Sequence, residues 1–284
     1  MTQSLRQIKS RIRSIVNTEK LTRAMEMVSV SKLKSAQRAL GHSREYCLSL
    51  EQVLRNLLAS FKKEAHPLLE ERVNKKSLAL CVITSDTGLC GSYNHSVIQA
   101  AQDFLGKTGG REIKLITVGK KASNYFKRTG LDTYLAYGEF YGRYSREACD
   151  KITGDLTDMF LKRETDEVYV AYMNFESPSR YAPALDRLLN VRVADGKELD
   201  YIVEPEAHSV LEELLPLHVL NRMRGIILSA FAAEHAARVI AMGEATDNAD
   251  ELLDELVLLR NKVRQTNITR EIIEVISTVE AMKG

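Results

Sequence analysis

The sequence predicts an open α/β domain inserted between two long helices that pair as an antiparallel coiled coil. Three observations predict it: a proline-free segment near each end, and a middle region in which strand and helix patterns alternate. A compact globule of 284 residues is roughly 50 Å across. Each terminal segment, as one helix, measures roughly 90 to 100 Å, so the two must project and pair. The alternative, a bundle of several short helices, needs loop signals that are nearly absent.

The first long helix is predicted to run from Ser4 to about Lys63, a stretch without proline. Ser4 and Gln7 have the spacing of a capping box, in which each side chain bonds the backbone N–H of the other. Gly41 is followed by more helix formers, so a loop is expected only at 62–67. Apolar residues recur at helical spacing in two sets: Leu5, Ile8, Ile12 and Ile15, then Tyr46, Leu50, Val53, Leu54, Leu57 and Leu58.

The last long helix is predicted from Leu217 to Gly284, with Pro205 and Pro216 closing the middle region. Gly225 and Gly243 lie inside it, and each costs about 1 kcal/mol relative to alanine. This cost weakens the prediction without defeating it. Two narrow apolar stripes at helical spacing also lie in this segment, and such stripes are typical of helices that bury one seam on a partner helix. They are Leu252, Leu256, Leu259 and Val263, then Ile268, Ile272, Val275 and Val279.

The middle region predicts a largely parallel, Rossmann-like sheet, because strands alternate with helices along the chain. The predicted strands are Ser77–Thr84, Ile113–Val118, Thr133–Tyr137, Glu167–Asn174 and one near Leu199–Val203. The predicted helices are His95–Leu105, Lys121–Arg128 and Arg146–Lys162. The resulting domains are 1–65 for the first long helix, 66–205 for the inserted domain and 206–284 for the last long helix.

The loop Ser85–Gly91 follows the first strand and precedes a helix, which is where open α/β sheets bind ligands. It has neither the GxGxxG nor the GxxxxGK[ST] pattern and no lysine to hold a phosphate, and Asp86 would repel an anion. We interpret it as a packing turn, with an enzyme site there as the alternative. Val118–Lys121 resembles half of a phosphate loop but lacks its first glycine, and is treated as a chance match.

The sequence offers no constellation for catalysis or metal binding. Its six histidines show no metal-ligand spacing, and no GxSxG elbow accompanies a His and Asp set. Cys90 lies beside glycine, with no adjacent basic residue to lower its pKa. We therefore expect no catalytic residue, no metal and no cofactor. The scattered cysteines fit buried thiols in a reducing compartment, so the chain is expected to be cytoplasmic.

Charge is unevenly spread along the chain. Charged residues make up 27% and hydrophobic residues 44%, which excludes a disordered or fibrous protein, and no apolar run approaches the roughly 18 residues of a membrane span. Residues 1–40 hold nine bases and two acids, so 9 − 2 = +7. A basic end indicates an acidic partner, such as nucleic acid, anionic lipid or an acidic protein loop. A solvated helix face, or an adaptor whose basic arm binds such polymers, are the competing interpretations.

Three segments carry patterns typical of one family. They are NTEKLTRAMEMVSVSKLKSAQRA at 17–39, TSDTGLCGSYN at 84–94 and ARVIAMGEATDNADELLDELVLLRNKVRQTNITREIIEV at 237–275. In order and spacing they resemble the signatures of the gamma subunit of F-type ATP synthases. The resemblance covers the whole chain. It implies two long antiparallel helices with an inserted α/β domain.

The resemblance also implies a function, that of a rotor shaft inside a hexamer of alternating alpha and beta subunits. Rotation driven by the membrane ring changes the nucleotide affinity of each beta site in turn, so the shaft itself is non-catalytic and needs no cofactor. The implied partners are the alpha, beta and epsilon subunits and the membrane c-subunit ring, and no nucleic acid. The implied location is peripheral, on the cytoplasmic face of the bacterial cell membrane, with membrane association only through the complex.

Individual roles are implied residue by residue. Tyr201 and Glu204 would face the c-subunit ring and the epsilon subunit, and residues 268–284 would stand in an apolar sleeve of the hexamer. Thr87 stands where the family usually has Arg, and Arg270 where it often has Gln. The residues implied to contact beta subunits are Met25, Arg238, Arg264, Gln265, Thr269 and Glu271.

Overall fold

The computed structural model describes residues 4–60, 66–73, 75–193, 204 and 206–282. It confirms the predicted fold class, with one long helix before and one after a five-stranded sheet and its helices. The elements are α1 (Leu5–Ser60), a 3-10 turn (Pro67–Leu69), β1 (Ser77–Ile83), α2 (Tyr93–Lys107), β2 (Glu112–Val118), α3 (Lys120–Arg128), β3 (Thr133–Tyr137), α4 (Arg146–Leu161), β4 (Glu167–Ser177), β5 (Arg180–Leu189) and α5 (Ala207–Ala281).

The chain divides into two compact units. The helical unit is Met1–Val28 with Val239–Gly284, and the sheet unit is Ser29–Arg238. Both long helices contribute to both units, whereas the sequence-based domains assign each helix to a domain of its own. Those boundaries at 65 and 205 stay a prediction.

Helix α1 begins where the capping box predicts. The Ser4 N–H donates to Gln7 Oε1 at 3.1 Å, and the Gln7 N–H donates to Ser4 Oγ at 3.3 Å. The helix runs through Gly41 for 56 residues, roughly 84 Å. Tyr46 and Val53 of the second apolar set are 48% and 49% exposed, because the buried stripe is narrower than that set. Its buried members are Leu50, Leu54 and Leu57.

Helix α5 begins at Ala207, ten residues earlier than predicted, and contains Pro216. The prediction that this proline closes the middle region is therefore wrong. Proline removes one helical hydrogen bond and crowds the preceding turn. Here Pro216 and Glu212, whose carbonyl loses that bond, are both exposed, so water can satisfy the carbonyl. Leu211 and Leu215 on the other face are buried, and their packing keeps this turn helical.

The sheet has the strand order β3-β2-β1-β4-β5. The first four strands are mutually parallel, and β5 pairs antiparallel with β4. This confirms the prediction of a largely parallel sheet. Every residue of β1 from Leu78 to Ile83 is buried, as expected for a central parallel strand that is covered on both faces.

Strand β5, Arg180–Leu189, is absent from the sequence-based prediction. Pro183 lies inside it opposite Met173 of β4, and a proline within a run argues against a central strand. At the edge of the sheet, however, a missing N–H breaks no bond to a further strand. The strand expected near Leu199–Val203 lies outside the described residues.

Two layers of apolar side chains cover the two faces of the sheet. One layer includes Leu54, Cys81, Ile83, Ile152, Leu156, Leu215 and Phe231. The other includes Leu33, Leu80, Val82, Val97, Phe126 and Leu228. Both layers contain residues of α1 and of α5, so both ends of the chain are needed to complete the sheet unit.

Helix α5 is the one described helix that is long and apolar enough, by length and composition, to cross a membrane. Its most apolar 18-residue window has a mean hydropathy of 1.4, and 78% of that window is buried inside the protein. The window's hydropathy is therefore accounted for by the core layers that it completes.

In the helical unit, α1 and α5 run antiparallel. The hydroxyl oxygens of Thr22 and Thr246 lie 2.8 Å apart in a buried position. Further along α1, a Cβ built on Gly243 would lie 3.8 Å from Glu26 Oε1. Contacts thus step forward on one helix and backward on the other, which is the order of an antiparallel pair.

Candidate functional site

One carboxylate ties together three loops at the carboxyl edge of the sheet. Asp86 Oδ1 accepts hydrogen bonds from the N–H groups of Lys120 and Glu139, each at 3.1 Å, and Oδ2 accepts from the Tyr141 N–H at 2.8 Å. These groups follow β1, β2 and β3. The crevice where such a sheet usually binds ligands is here tied by internal bonds, in agreement with the packing-turn interpretation.

Gly119 allows the next loop to approach β1 closely. Its φ is +95°, and a Cβ there would lie 2.2 Å from the Thr84 carbonyl oxygen, so no other residue fits. Thr84 Oγ1 in turn accepts from the Ala122 N–H at 2.9 Å. The segment that resembles half of a phosphate loop thus packs one strand end against another.

A buried polar cluster on α5 faces this edge. Glu234, His235 and Arg238 are 1%, 1% and 6% exposed. Arg238 Nη2 donates to Glu234 Oε1 at 2.7 Å and to Thr87 Oγ1 at 3.2 Å, and Arg238 Nε donates to the Gly88 carbonyl at 3.4 Å. Helix α5 is thereby bonded to the loop after β1. We call four residues the polar joint: Asp86, Glu234, His235 and Arg238.

The tautomer of His235 follows from its two partners. Its Nδ1 lies 3.2 Å from Arg238 Nη1, and because a guanidinium only donates, Nδ1 accepts. Nε2 therefore carries the proton and donates to the Gly142 carbonyl at 2.9 Å. Burial lowers the pKa of His235 to about 4, and the charges of Arg238 and Lys32 also lower it. The ring is thus neutral at physiological pH and fixed between α5 and the loop after β3.

Glu234 is the least satisfied member of the polar joint. Its Oε2 is buried and has no hydrogen-bond partner among the residues that the structure describes. Burial raises the pKa of Glu234, and the Arg238 charge opposes that rise. A buried ion pair of this kind carries a large desolvation cost, so it fixes geometry more than it adds stability.

Helix α1 is bonded to the same edge through Lys32. Its Nζ donates to the Tyr141 carbonyl at 3.1 Å. Burial lowers the pKa of Lys32, as do the charges of Arg143 and Arg238, whereas Glu234 raises it. Within the sheet unit, both long helices are therefore bonded to the loops at one edge of the sheet.

The bonds at this edge hold the loops and helices of the sheet unit together. Burial raises the pKa of the Cys90 thiol, the opposite of what a nucleophilic cysteine needs. Among the residues that the structure describes, no group of three His, Cys, Asp or Glu side chains could hold a metal ion. What these bonds supply is a fixed orientation of the helices relative to the strands of their own unit.

The six residues expected to contact beta subunits lie in different surroundings. Arg238 belongs to the sheet unit, where its guanidinium is occupied by the polar joint, and the other five belong to the helical unit. Met25 is half-buried on α1. The exposed ones on α5 are Arg264, Gln265, Thr269 and Glu271. Their contacts with a partner stay a prediction.

The last part of α5 is uncovered. Every residue from Arg264 to Met282 is exposed, and of the predicted seam, Leu252 and Leu259 are also 48% and 38% exposed. Exposed apolar patches of this extent mark interaction surfaces. The apolar members are Ile268, Ile272, Ile273, Val275, Ile276, Val279 and Met282, between 47% and 83% exposed.

Two further residues, Tyr201 and Glu204, are expected to contact partners and lie in the sequence between β5 and α5. Glu204 is exposed, and Tyr201 lies outside the described residues. Their expected contacts with the ring and the epsilon subunit stay a prediction.

Comparison with known proteins assigns the family. A family model described as ATP synthase matches residues 4–282. Relatives named ATP synthase gamma chain include those of Anaeromyxobacter sp. (strain Fw109-5), 35% identical, and Geotalea uraniireducens (strain Rf4), 37% identical, each over 99% of both chains. The chain belongs to the ATP synthase gamma chain family. The sequence-based assignment is confirmed, and this gamma chain is a subunit of an ATP synthase.

Solved structures show that the gamma chain shares its fold with distant proteins. A chain from the Euglena gracilis mitochondrial ATP synthase (OSCP/F1/c-ring) is 19% identical, covers 98% of the gamma chain and 94% of its own length, and has a TM-score of 0.71. A chain from the Tetrahymena thermophila mitochondrial ATP synthase central stalk/c-ring is 23% identical, with 79% and 99% covered and a TM-score of 0.61. The inserted sheet between long helices is thus an arrangement seen in solved structures.

Sequence reasoning found Arg238 only through the family resemblance and missed Glu234, His235 and Lys32. A signal was present. Glu234 and His235 are the two ionisable residues in the stretch Ile226–Ala237 of a core helix, which is otherwise apolar apart from Ser229. Ionisable residues are almost never fully buried unless they are paired. Arg238, four residues after Glu234, was the available partner.

Proposed function

We propose that this gamma chain is the non-catalytic central shaft of an F-type ATP synthase, whose rotation couples ion flow through a membrane ring to ATP synthesis or hydrolysis at beta subunits. The observation that carries the proposal is the uncovered end of α5, Arg264–Met282, because its apolar side chains need a partner that covers them. Two similar structures, the central stalk/c-ring of the Tetrahymena thermophila mitochondrial ATP synthase and the rotor of the Euglena gracilis mitochondrial ATP synthase, support the same role.

The mechanism is a population shift imposed by a moving partner. A shaft with a different surface in each direction meets each beta subunit differently, and contacts that favour one beta conformation lower its free energy relative to the others. As the shaft turns, each site passes through states of different nucleotide affinity. The gamma chain contributes no reacting group to this cycle.

The proposed contacts follow the family signatures. Met25, Arg264, Gln265, Thr269 and Glu271 meet beta-subunit loops directly. Arg238 contributes in a different way, because its guanidinium is bound inside the sheet unit and holds α5 to the sheet, so its effect on a beta subunit is indirect.

The proposed foot of the shaft is the stretch of sequence between β5 and α5. Tyr201 and Glu204 meet the c-subunit ring and the epsilon subunit. Alpha subunits complete the surrounding hexamer, and no nucleic acid is a partner. The complex lies on the cytoplasmic face of a bacterial cell membrane, which the chain reaches only through its partners.

Stiffness is the physical requirement of this role. A helix of 75 residues is roughly 112 Å long, and it transmits torque only if it cannot turn against the sheet. Arg238 and His235 bond it to two loops of that sheet. The polar joint therefore supplies, within the sheet unit, the fixation that a shaft needs.

The test is a truncation that removes only exposed residues of the shaft. The synthase is reconstituted in vesicles with the gamma chain ending at Asn267, and ion-driven ATP synthesis is measured. We expect a clear loss of synthesis with only a small change in the melting temperature of the isolated chain, because every described residue removed after Asn267 is exposed.

The matched control is Lys127→Gln, which changes one exposed side chain of α3 and should leave synthesis unchanged. Full synthesis by the truncated chain would contradict the proposal. So would recovery of the native membrane complex of alpha and beta subunits without this chain.

A further inference from the structure

We propose that the sheet unit binds a phosphate-sized oxyanion in a pocket at the amino edge of the sheet, the edge opposite the polar joint. The pocket has a volume of about 280 Å³. Its charged lining is Lys75, Lys107, Arg111, Glu167 and Arg187. The proposal does not depend on the rotor function, since it rests on the local charge and geometry of these residues.

One buried carboxylate organises the pocket. Glu167 is the first residue of β4 and is 3% exposed. Its Oε1 pairs with Lys75 Nζ at 3.0 Å and with Arg187 Nη1 at 3.2 Å, and its Oε2 pairs with Arg111 Nη1 at 3.1 Å. Three cations thus converge on a single negative charge, and both carboxylate oxygens are engaged.

The lining keeps a positive excess after this pairing. Lys107, in the last turn of α2, adds a fourth cation. Among the described residues, no acidic side chain forms an ion pair with it. The lining therefore carries 4 − 1 = +3. The carbonyl end of α2 offsets about half a charge. Glu71 lies 3.7 Å from Lys75 but is itself paired with Arg192, so these two nearby charges cancel.

The pocket has the shape and donors that an oxyanion requires. Its volume of about 280 Å³ leaves room for a small ion. Arg111 and Arg187 each use Nη1 on Glu167, and a guanidinium has five N–H donors, so further donors remain on each. Phe104 and Tyr169, whose ring centroids are 4.9 Å apart, form an apolar wall that lowers the local dielectric.

A second anion lowers the energy of this cluster because it relieves repulsion among cations that one carboxylate cannot neutralise. Arginine forks match tetrahedral oxyanions in geometry as well as in charge. The ligand class is therefore an oxyanion of the phosphate type. Free phosphate and a lipid phosphomonoester headgroup share this chemistry.

The first experiment titrates the full chain with inorganic phosphate at constant ionic strength, by calorimetry and by amide NMR shifts at Lys107 and Thr108. Lys107→Gln removes one charge-assisted bond and should weaken phosphate binding by about tenfold. The chain should stay folded, because Lys107 is exposed. Lys127→Gln, at the equivalent last turn of α3, should leave the affinity unchanged.

Glu167→Gln distinguishes phosphate binding from a purely structural role of the cluster, because a structural role does not predict tighter binding. The amide keeps the size of the side chain but removes the competing negative charge, so phosphate should bind several-fold more tightly. If this buried variant does not fold, the Lys107→Gln comparison decides alone.

Vesicles that contain phosphatidate identify the source of the ligand. Vesicle binding that Lys107→Gln abolishes assigns a lipid headgroup, and binding of soluble phosphate alone assigns the free ion. Either outcome supports the pocket. Absence of both in the wild-type chain, or binding that Lys107→Gln and Lys127→Gln affect equally, overturns it.

Discussion

At the scale of single residues, the gamma chain places three ionisable side chains inside a helix whose neighbours are almost all apolar. Glu234, His235 and Arg238 are nearly inaccessible to water, and removing them from water is favourable only because each bonds another or a loop carbonyl. Polar groups in such a position specify which loop lies against which helix turn more than they stabilise the fold.

Removing one partner of the ion pair exposes this cost. Arg238→Ala removes the cation that is bonded to the buried Glu234 carboxylate, and we expect the free energy of unfolding to fall by about 3 to 5 kcal/mol. Urea unfolding of the isolated chain, followed by far-UV circular dichroism, measures it. The double variant Glu234→Leu with Arg238→Met replaces both charges by apolar groups and should lose far less. An equal loss in both proteins would show that packing, not the unpaired charge, sets the effect.

The neutral state of His235 predicts an acid-sensitive stability. Its folded pKa of about 4 lies below the unfolded value of about 6.5, so the native state binds fewer protons between these values. The contribution of the neutral His235 to the free energy of unfolding is fully present above about pH 6.5. It falls as the pH drops towards 4, by about 2 kcal/mol at pH 5.

The variant His235→Gln isolates this effect. Glutamine can still donate to Gly142 and accept from Arg238, but it does not titrate, so its stability should fall less between pH 7 and pH 5. The measurement is the melting temperature against pH, with the exposed His42→Gln as control. Parallel curves for wild type and His235→Gln would refute the assignment.

Gly142 is expected to be intolerant of any side chain. Its φ is +66°, and a Cβ there would lie 2.4 Å from His235 Nε2. Gly142→Ala should therefore destabilise the chain by more than the roughly 1 kcal/mol of a left-handed alanine. Gly110→Ala is the matched control, because φ is +81° with open space around it. Thermal unfolding compares the two, and equal losses would mean that His235 can move aside.

At the scale of elements, the sequence correctly predicted the helices and strands whose local sequence patterns agree with their surroundings in the fold. The Ser4 and Gln7 capping box set the start of α1, and the continuous apolar run of β1 indicated a strand covered on both faces. β5 was missed because its pattern depends on edge position, which only the sheet topology reveals. The start of α5 was wrong because tertiary packing of Leu211 and Leu215 overrides the helix-breaking tendency of Pro216.

Pro216 gives the test of that override. Pro216→Ala restores a backbone N–H to an exposed turn without touching the core, so we expect the free energy of unfolding to rise by about 1 to 3 kcal/mol. Chemical denaturation of the full chain measures the change, and Glu213→Ala, on the same exposed turn, should have little effect. A loss of stability in Pro216→Ala would show that the proline's own geometry is needed there.

At the scale of the whole molecule, local sequence could not show how the polar joint or the oxyanion pocket is assembled, although the α5 members of the polar joint gave a local signal. The polar joint combines residues more than 140 positions apart, such as Asp86 and Arg238, and the oxyanion pocket combines α2, β4 and β5. The uncovered end of α5, by contrast, was expected from the family resemblance. Its narrow stripes predicted a seam on α1, whereas the structure leaves those residues exposed.

The shared helices also decide which fragments can fold. Residues 66–205 lack the α1 and α5 side chains of both core layers, among them Leu54 and Phe231. We expect this fragment to show poorly dispersed amide NMR signals, typical of incomplete tertiary packing. A fragment of residues 29–238, the complete sheet unit, should give a dispersed spectrum. A well-dispersed spectrum from 66–205 would establish it as an independent domain.

The burial of β1 by the far end of the sequence has a consequence for biosynthesis. A ribosome that adds about 5 to 20 residues per second needs roughly 8 to 30 s to go from Ile83 to Arg238. Throughout that interval α5 cannot cover the nascent strand β1, and its exposed apolar side chains can form non-native contacts. The core layers over the sheet are therefore completed only late in translation, because they need side chains of α5.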